Sequence, residues 1–204
     1  MKIAVIGATG NAGSRIVEEA LKRGHEVTAI ARNPEKLGGA RPNLVPKKGD
    51  AHNPDALAKL LAGHDLVISA VRFVASDPNK LIEAVKKSGV PRYLVVGGAG
   101  SLEVAPGKAL VDTPNFPAAA RPEASRGRDF LNLLRQERDL DWTMLSPSRL
   151  FAPGPRTGKF RLGGDQLLTA ADGKSSVSME DYAIALLDEV EKPQHRGRRF
   201  TVGY

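Results

Sequence analysis

MKIAVIGATGNAGSRIVEEALKRG, residues 1–24, opens the chain with five residues that read as a buried strand and then sets glycines at Gly7, Gly10 and Gly13. A strand that turns directly into a helix needs one residue free to take unusual backbone angles, and Gly7 supplies it. Gly10 lets the backbone come close to a ligand, and Gly13 lets the helix pack tightly on the sheet. Ile16, Val17, Ala20 and Leu21 give that helix one apolar face before Gly24 ends it. Its N-terminus presents unpaired N–H groups and a partial positive charge, which suit a pyrophosphate. The triplet alone is a weak signal. In first position, after a buried strand and before an amphipathic helix, it is a strong one for dinucleotide binding. The expected cradle is Gly7, Thr9, Gly10, Asn11, Ala12 and Gly13, with Thr9 and Asn11 ordering the turn or reaching phosphate and ribose.

Further strand-like runs follow at EVTAIA, NLVPK, DLVISAV, RYLVVGG, WTMLS and RFTVG, mostly continuous apolar runs, as in strands buried on both faces. Helix-length segments separate most of them. Asn53-Pro54 and Asp77-Pro78 each read as an N-cap followed by proline at the first helical position. Alternation of this kind predicts a single α/β domain over residues 1–204, a Rossmann-type doubly wound parallel sheet with ligands at the carboxyl ends of its strands. Pro46 in the third run fits an edge strand, which the order 3-2-1-4-5 provides. Two long Pro/Gly-rich connections, around 101–122 and 148–178, break the rhythm and read as walls of a small substrate-binding lobe. Near the C-terminus Ser178 and Asp181 read as a capping-box-like start to a packed helix.

The 204 residues carry 30 Lys and Arg against 23 Asp and Glu, a net charge of +7. The basic residues are mostly scattered and only 5% of the chain is aromatic, so no nucleic-acid surface and no membrane span is expected. With no cysteine, disulfides and thiolate metal sites are excluded, and the four histidines have no ligand spacing, so no metal is expected. The cytoplasm is the expected compartment.

About 20 residues beyond the glycines, where an acidic residue would bind the adenosine ribose and favour NAD, the chain has AIARNPEKL. The planar fork of Arg32 suits a 2′-phosphate, so NADP(H) is expected over NAD(H); the alternative is that Arg32 caps the strand or stacks on adenine. Topology alone puts Asp50, Ala51, Ala70 and Val71 beside the adenine and ribose, although Asp50 also suits a loop or capping role.

GATGNAG, ARNPEKL, GDAHNPDAL, LIEAVKKSGVPRYLVVGGAGSL, DWTMLSPSRLF, SSVSMEDYAIALLDEVE and RRFTVGY together resemble an atypical branch of the short-chain dehydrogenase/reductases. The resemblance runs from Met1 to Tyr204 and is to the group described as NADH-flavin reductases, related to biliverdin reductase B and to the NmrA-like proteins. Ordinary members use a Tyr-x-x-x-Lys proton carrier. Here Tyr93, Tyr182 and Tyr204 are the only tyrosines, and none has lysine four residues later. The resemblance makes Ser101 the candidate catalytic hydroxyl, with a turn role as the alternative. Arg149 and Phe151, at the end of the sixth strand, are candidate acceptor contacts, with packing under the long following segment as the alternative, above all for Phe151.

These features imply an NAD(P)H-dependent reductase acting on a flat conjugated acceptor such as a quinone or free FMN or FAD, which can take its proton from water. The alternatives are a non-catalytic NADP(H)-binding redox sensor of the NmrA-like kind and an NAD-dependent epimerase or dehydratase. A homodimer is the expected assembly only in the sense that such dimers are common.

Overall fold

The computed structural model describes all residues from Met1 to Tyr204. They form two compact units, Met1–Val95 with Arg138–Trp142, and Val96–Glu137 with Thr143–Tyr204. The main sheet has eight strands and is mostly parallel, the Rossmann-type class expected from the alternation of elements.

The first unit holds β1 (Lys2–Ile6), α1 (Asn11–Lys22), β2 (Glu26–Ala31), β3 (Leu44–Lys48), α2 (Pro54–Leu61), β4 (Leu66–Ser69), α3 (Pro78–Ser88) and β5 (Arg92–Val96, whose last residue falls in the second unit). Its strands run parallel in the order β3-β2-β1-β4-β5. All of β4 and β5, and all of β1 after Lys2, is buried, so apolar side chains alternating up and down both meet core. β3 is the edge, and Pro46 sits there opposite Ala29, where a missing ladder donor is tolerated. Asn53 Oδ1 accepts from the Ala56 N–H at 3.1 Å and the Asp77 carboxylate from the Asn79 N–H at 2.9 Å, so both caps form as the sequence predicts. Register then sets up the site. Ile6 pairs with Ile30 on one side and Ser69 on the other, and Ala31 with Lys48. The loops after β1, β2, β3 and β4 therefore leave the same edge of the sheet.

The second unit contains the hairpin β6 (Glu103–Ala105) and β7 (Lys108–Ala109), then α4 (Arg121–Gln136) and β8 (Asp141–Pro147, from Thr143 on). β9 (Leu150–Ala152), β10 (Arg161–Gly163), β11 (Ser176–Ser178), α5 (Met179–Glu191) and β12 (Arg198–Gly203) complete it. β12 lies parallel to β8 and antiparallel to β10, while β9 and β11 form a separate parallel pair. The two irregular connections thus contain β6, β7, β9, β10 and β11, each two or three residues long. Arg121 and Arg128, on α4, hold the preceding loop. Arg121 Nη1 donates to the Val111 carbonyl at 2.5 Å, and Arg128 Nη1 to both Asp112 oxygens at 2.8 and 2.9 Å.

At the start of α5, Ser178 Oγ accepts from the Asp181 N–H at 3.0 Å, but the return half of the capping box is absent. The Asp181 carboxylate is fully buried and accepts from the N–H groups of Thr157 (2.7 Å) and Gly158 (2.8 Å), the Thr157 hydroxyl (2.5 Å) and the Tyr204 hydroxyl (2.8 Å). Burial alone would raise its pKa; these donors outweigh that and hold it below the usual carboxylate value.

Candidate functional site

An open cleft of about 280 Å³ lies at the shared loop edge of the first unit. Gly7, Thr9 and Gly10 come to it from the first loop, Arg32 and Lys36 from the second, Asp50, Ala51 and His52 from the third, and Ala70, Val71 and Arg72 from the fourth. Eight of the residues picked from the sequence therefore line one space. Asn11, Ala12 and Gly13 do not line it; they form the first turn of α1 directly behind it.

Two glycines are required by geometry. Gly7 has φ +82°, and a Cβ there would stand 2.6 Å from the Ala70 carbonyl oxygen, inside van der Waals contact. A Cβ on Gly13 would collide with the Gly7 carbonyl oxygen. Gly13 therefore lets α1 close on the glycine turn itself, where the sequence pattern predicts close packing on the sheet. Ile30, at the end of β2, anchors the turn by accepting from the N–H groups of Gly7 (2.9 Å) and Ala8 (3.2 Å).

The first turn of α1 has no acidic residue, and Gly10, its N-cap, brings no side-chain hydrogen bond. The helix therefore keeps the unmet N–H groups of Asn11, Ala12 and Gly13 and the positive end of its dipole. Gly10 itself is not a donor to a ligand, because its N–H is spent on the Gly7 carbonyl at 3.0 Å. A dinucleotide fits these residues: a turn closed to any side chain, an uncapped helix start, and exposed cations at Arg32 and Lys36 around the same cleft.

Asp50 has a turn role as well. Its Oδ1 accepts from the His52 N–H at 2.9 Å and its carbonyl from the Asn53 N–H at 3.1 Å. Lys36, His52 and Arg72 were missed by sequence reasoning. The sequence does signal Lys36, which follows Arg32 by four residues on a short 3-10 turn, whereas His52 and Arg72 reach the cleft only because the β3 and β4 loops end at one level.

The structure does not gather the three candidates in the second unit. The Ser101 hydroxyl accepts from Arg199 Nη1 at 3.3 Å. Arg199 is itself buried, donates through Nε to Asp165 Oδ1 at 2.8 Å, and reaches the Ser146 hydroxyl at 3.4 Å. Burial draws its pKa down, and the Asp165 carboxylate opposes that. Phe151 packs its ring on Tyr182, centroids 4.8 Å apart, while Arg149 lines a separate groove. Nothing in the sequence marked Arg199 and Asp165 as partners, since 34 residues separate them.

Each tyrosine hydroxyl is committed. Tyr93 donates to Ser69 Oγ at 2.9 Å, Tyr182 to the Leu145 carbonyl at 2.7 Å, and Tyr204 to Asp181. Tyr93 and Tyr182 are fully buried, and desolvation pushes both phenols above their usual pKa. No helix is long and apolar enough to cross a membrane.

A parallel sheet whose glycine turn and cationic loops converge on one cleft defines a dinucleotide-binding α/β protein. Residues 7–193 match the family model described as NAD(P)H-binding, and the chain belongs to that family. Several solved structures cover all of it, and three of them are at least 40% identical. One, from Burkholderia pseudomallei and provisionally described as an exported protein, is 45% identical with a TM-score of 0.91 over 100% of its own chain. Another, from Bacteroides thetaiotaomicron and provisionally described as an epimerase, is 43% identical with a TM-score of 0.95 over 96% of its chain. The third, from Streptococcus pneumoniae TIGR4 and provisionally described as an NADH-flavin reductase, is 40% identical with a TM-score of 0.83 over 99% of its chain.

Proposed function

We propose that the chain is an NAD(P)H-dependent reductase that delivers hydride to a flat conjugated acceptor, such as free flavin or a quinone. The observation that carries this reading is the commitment of all three tyrosine hydroxyls, which leaves no phenol to serve as proton carrier. Alcohol oxidation and epimerisation need such a carrier; reduction of an electron-poor ring does not, because the proton can come from water. When bound, the nicotinamide supplies the hydride. The chain's own part is to hold and orient: the α1 N–H groups take the pyrophosphate, and Arg32, with Lys36 beside it, takes a 2′-phosphate, which favours NADP(H). Asp50, Ala51, Ala70 and Val71 flank the adenosine. The Streptococcus relative's name agrees with this reading and the Bacteroides relative's name does not. The test is NADPH oxidation with FMN and a quinone panel; steady turnover is expected, and an uncatalysed rate with every acceptor, while NADPH still binds, overturns it.

A redox sensor that binds NADP(H) without chemistry is the second reading, favoured by the Ser101 hydroxyl being held by Arg199. It requires oxidised and reduced coenzyme to bind with different affinity and to alter association with a protein partner. A cytoplasmic location is also proposed, against the exported-protein name of the Burkholderia relative, and cell fractionation decides it.

A further inference from the structure

The second unit has an open groove of about 740 Å³, within the range of small-molecule sites. Val104, Leu110, Leu150 and Leu167 form its apolar wall. Leu150 is 63% exposed and Val104 42%, so two large apolar side chains face solvent around one depression. A smaller depression shares Val104, Leu167 and Thr169 with it, so the apolar surface continues beyond one ligand ring.

No acidic side chain lines the larger groove, and its two cations differ. Lys174 is paired with Asp172 at 2.9 Å. Arg149 has no ion-pair partner, yet its main chain is fixed: its N–H donates to Ser175 Oγ at 3.1 Å, and the next N–H, from Leu150, to the Ser175 carbonyl at 2.9 Å. The β9–β11 pairing, with Leu150 opposite Ser176, holds the same point. An anchored backbone thus presents a free planar fork at the edge of an apolar wall, and the complementary ligand has an apolar body with an oxyanion at one end.

We infer that this groove binds an amphipathic oxyanion, Arg149 pairing with its carboxylate or phosphate and Val104 and Leu150 covering its body. The inference goes beyond the proposed reduction and is read without any nicotinamide, so either can fail alone. The test is equilibrium binding of two probe pairs at low salt. FMN against riboflavin isolates a phosphate, and anthraquinone-2-carboxylate against its carboxamide isolates a carboxylate. At least one anion is expected to bind about tenfold more tightly than its neutral twin. Arg149→Gln should abolish that preference while leaving the neutral twin's affinity in place, and the uncharged Leu150→Ser, at a position 63% exposed, should weaken both members of the pair. The favoured pair tells phosphate from carboxylate. Equal affinities within both pairs, no binding of any probe, or an anion preference that survives Arg149→Gln in a chain with unchanged circular dichroism overturns the inference.

Discussion

The cleft of the first unit and the polar clusters of the second use the same atoms in opposite ways. In the cleft, α1 begins with no side-chain cap and no acidic residue, and Arg32 and Lys36 stand exposed around it. In the second unit Asp181 receives four donors from Thr157, Gly158 and Tyr204, and Arg199 is bound to Asp165, Ser101 and Ser146. A group whose partners are already in the chain stabilises the fold; a set of donors left unmet at one place is suited to a ligand. Arg149 follows the pattern of the cleft although it lies in the second unit, which is why its groove stands apart from its surroundings.

The largest expected break in this contrast is Gly13→Val. The new side chain meets the Gly7 carbonyl, so α1 cannot close on the turn, and NADPH binding should fall by at least about a hundredfold in titration, with overpacking lowering stability by about 1–3 kcal/mol. Asp165→Ala comes next. It leaves the buried Arg199 guanidinium without its carboxylate, and denaturant unfolding should show a loss of about 2–3 kcal/mol, below the usual range for a broken buried pair because Asp165 is half exposed.

Asp181→Asn should cost about 1–2 kcal/mol at neutral pH, since the hydrogen bonds from Thr157, Gly158 and Tyr204 lose their charge assistance. It should also change the pH profile. Because the folded pKa of Asp181 lies below its ordinary 3.8, the unfolded chain takes up the proton first as pH falls. The stabilisation is fully present above that ordinary value and is lost as pH drops through the lower folded one. Melting curves between pH 6 and pH 2 should therefore fall less steeply for the variant, and parallel curves would remove Asp181 as the acid-sensitive group.

The first unit was legible because its signals are local. Gly7 and Gly13 serve one turn, the caps at Asn53 and Asp77 bond within three residues, and the continuous burial of β1, β4 and β5 is written in their apolar runs. Even there the contact that requires Gly13 is not legible, because whether a Cβ meets the sheet or the carbonyl of the turn is decided in three dimensions. The second unit's short strands have too few residues for a period, and its polar partners lie far apart in sequence: Arg199 from Ser101 by 98 residues, Tyr204 from Asp181 by 23. Local pattern finds neither. The cap at Ser178 was legible, and the use of Asp181 against the loop at Thr157 was not.

Two smaller effects sharpen the contrast. Arg32→Ala should weaken NADPH by about tenfold and NADH by much less, since only the former has a 2′-phosphate for the guanidinium to pair with. Equal losses would make Arg32 a stacking or capping residue. Smallest is Tyr93→Phe. This hydroxyl only bonds Ser69 in the core, so stability should drop by about 1 kcal/mol while kcat with any acceptor stays unchanged.

The central claim is that the glycine turn and the uncapped start of α1 hold a nicotinamide dinucleotide. Equilibrium dialysis of the folded chain against NADPH and NADH measures it most directly. Both coenzymes should be retained, NADPH more tightly; retention of neither contradicts the claim.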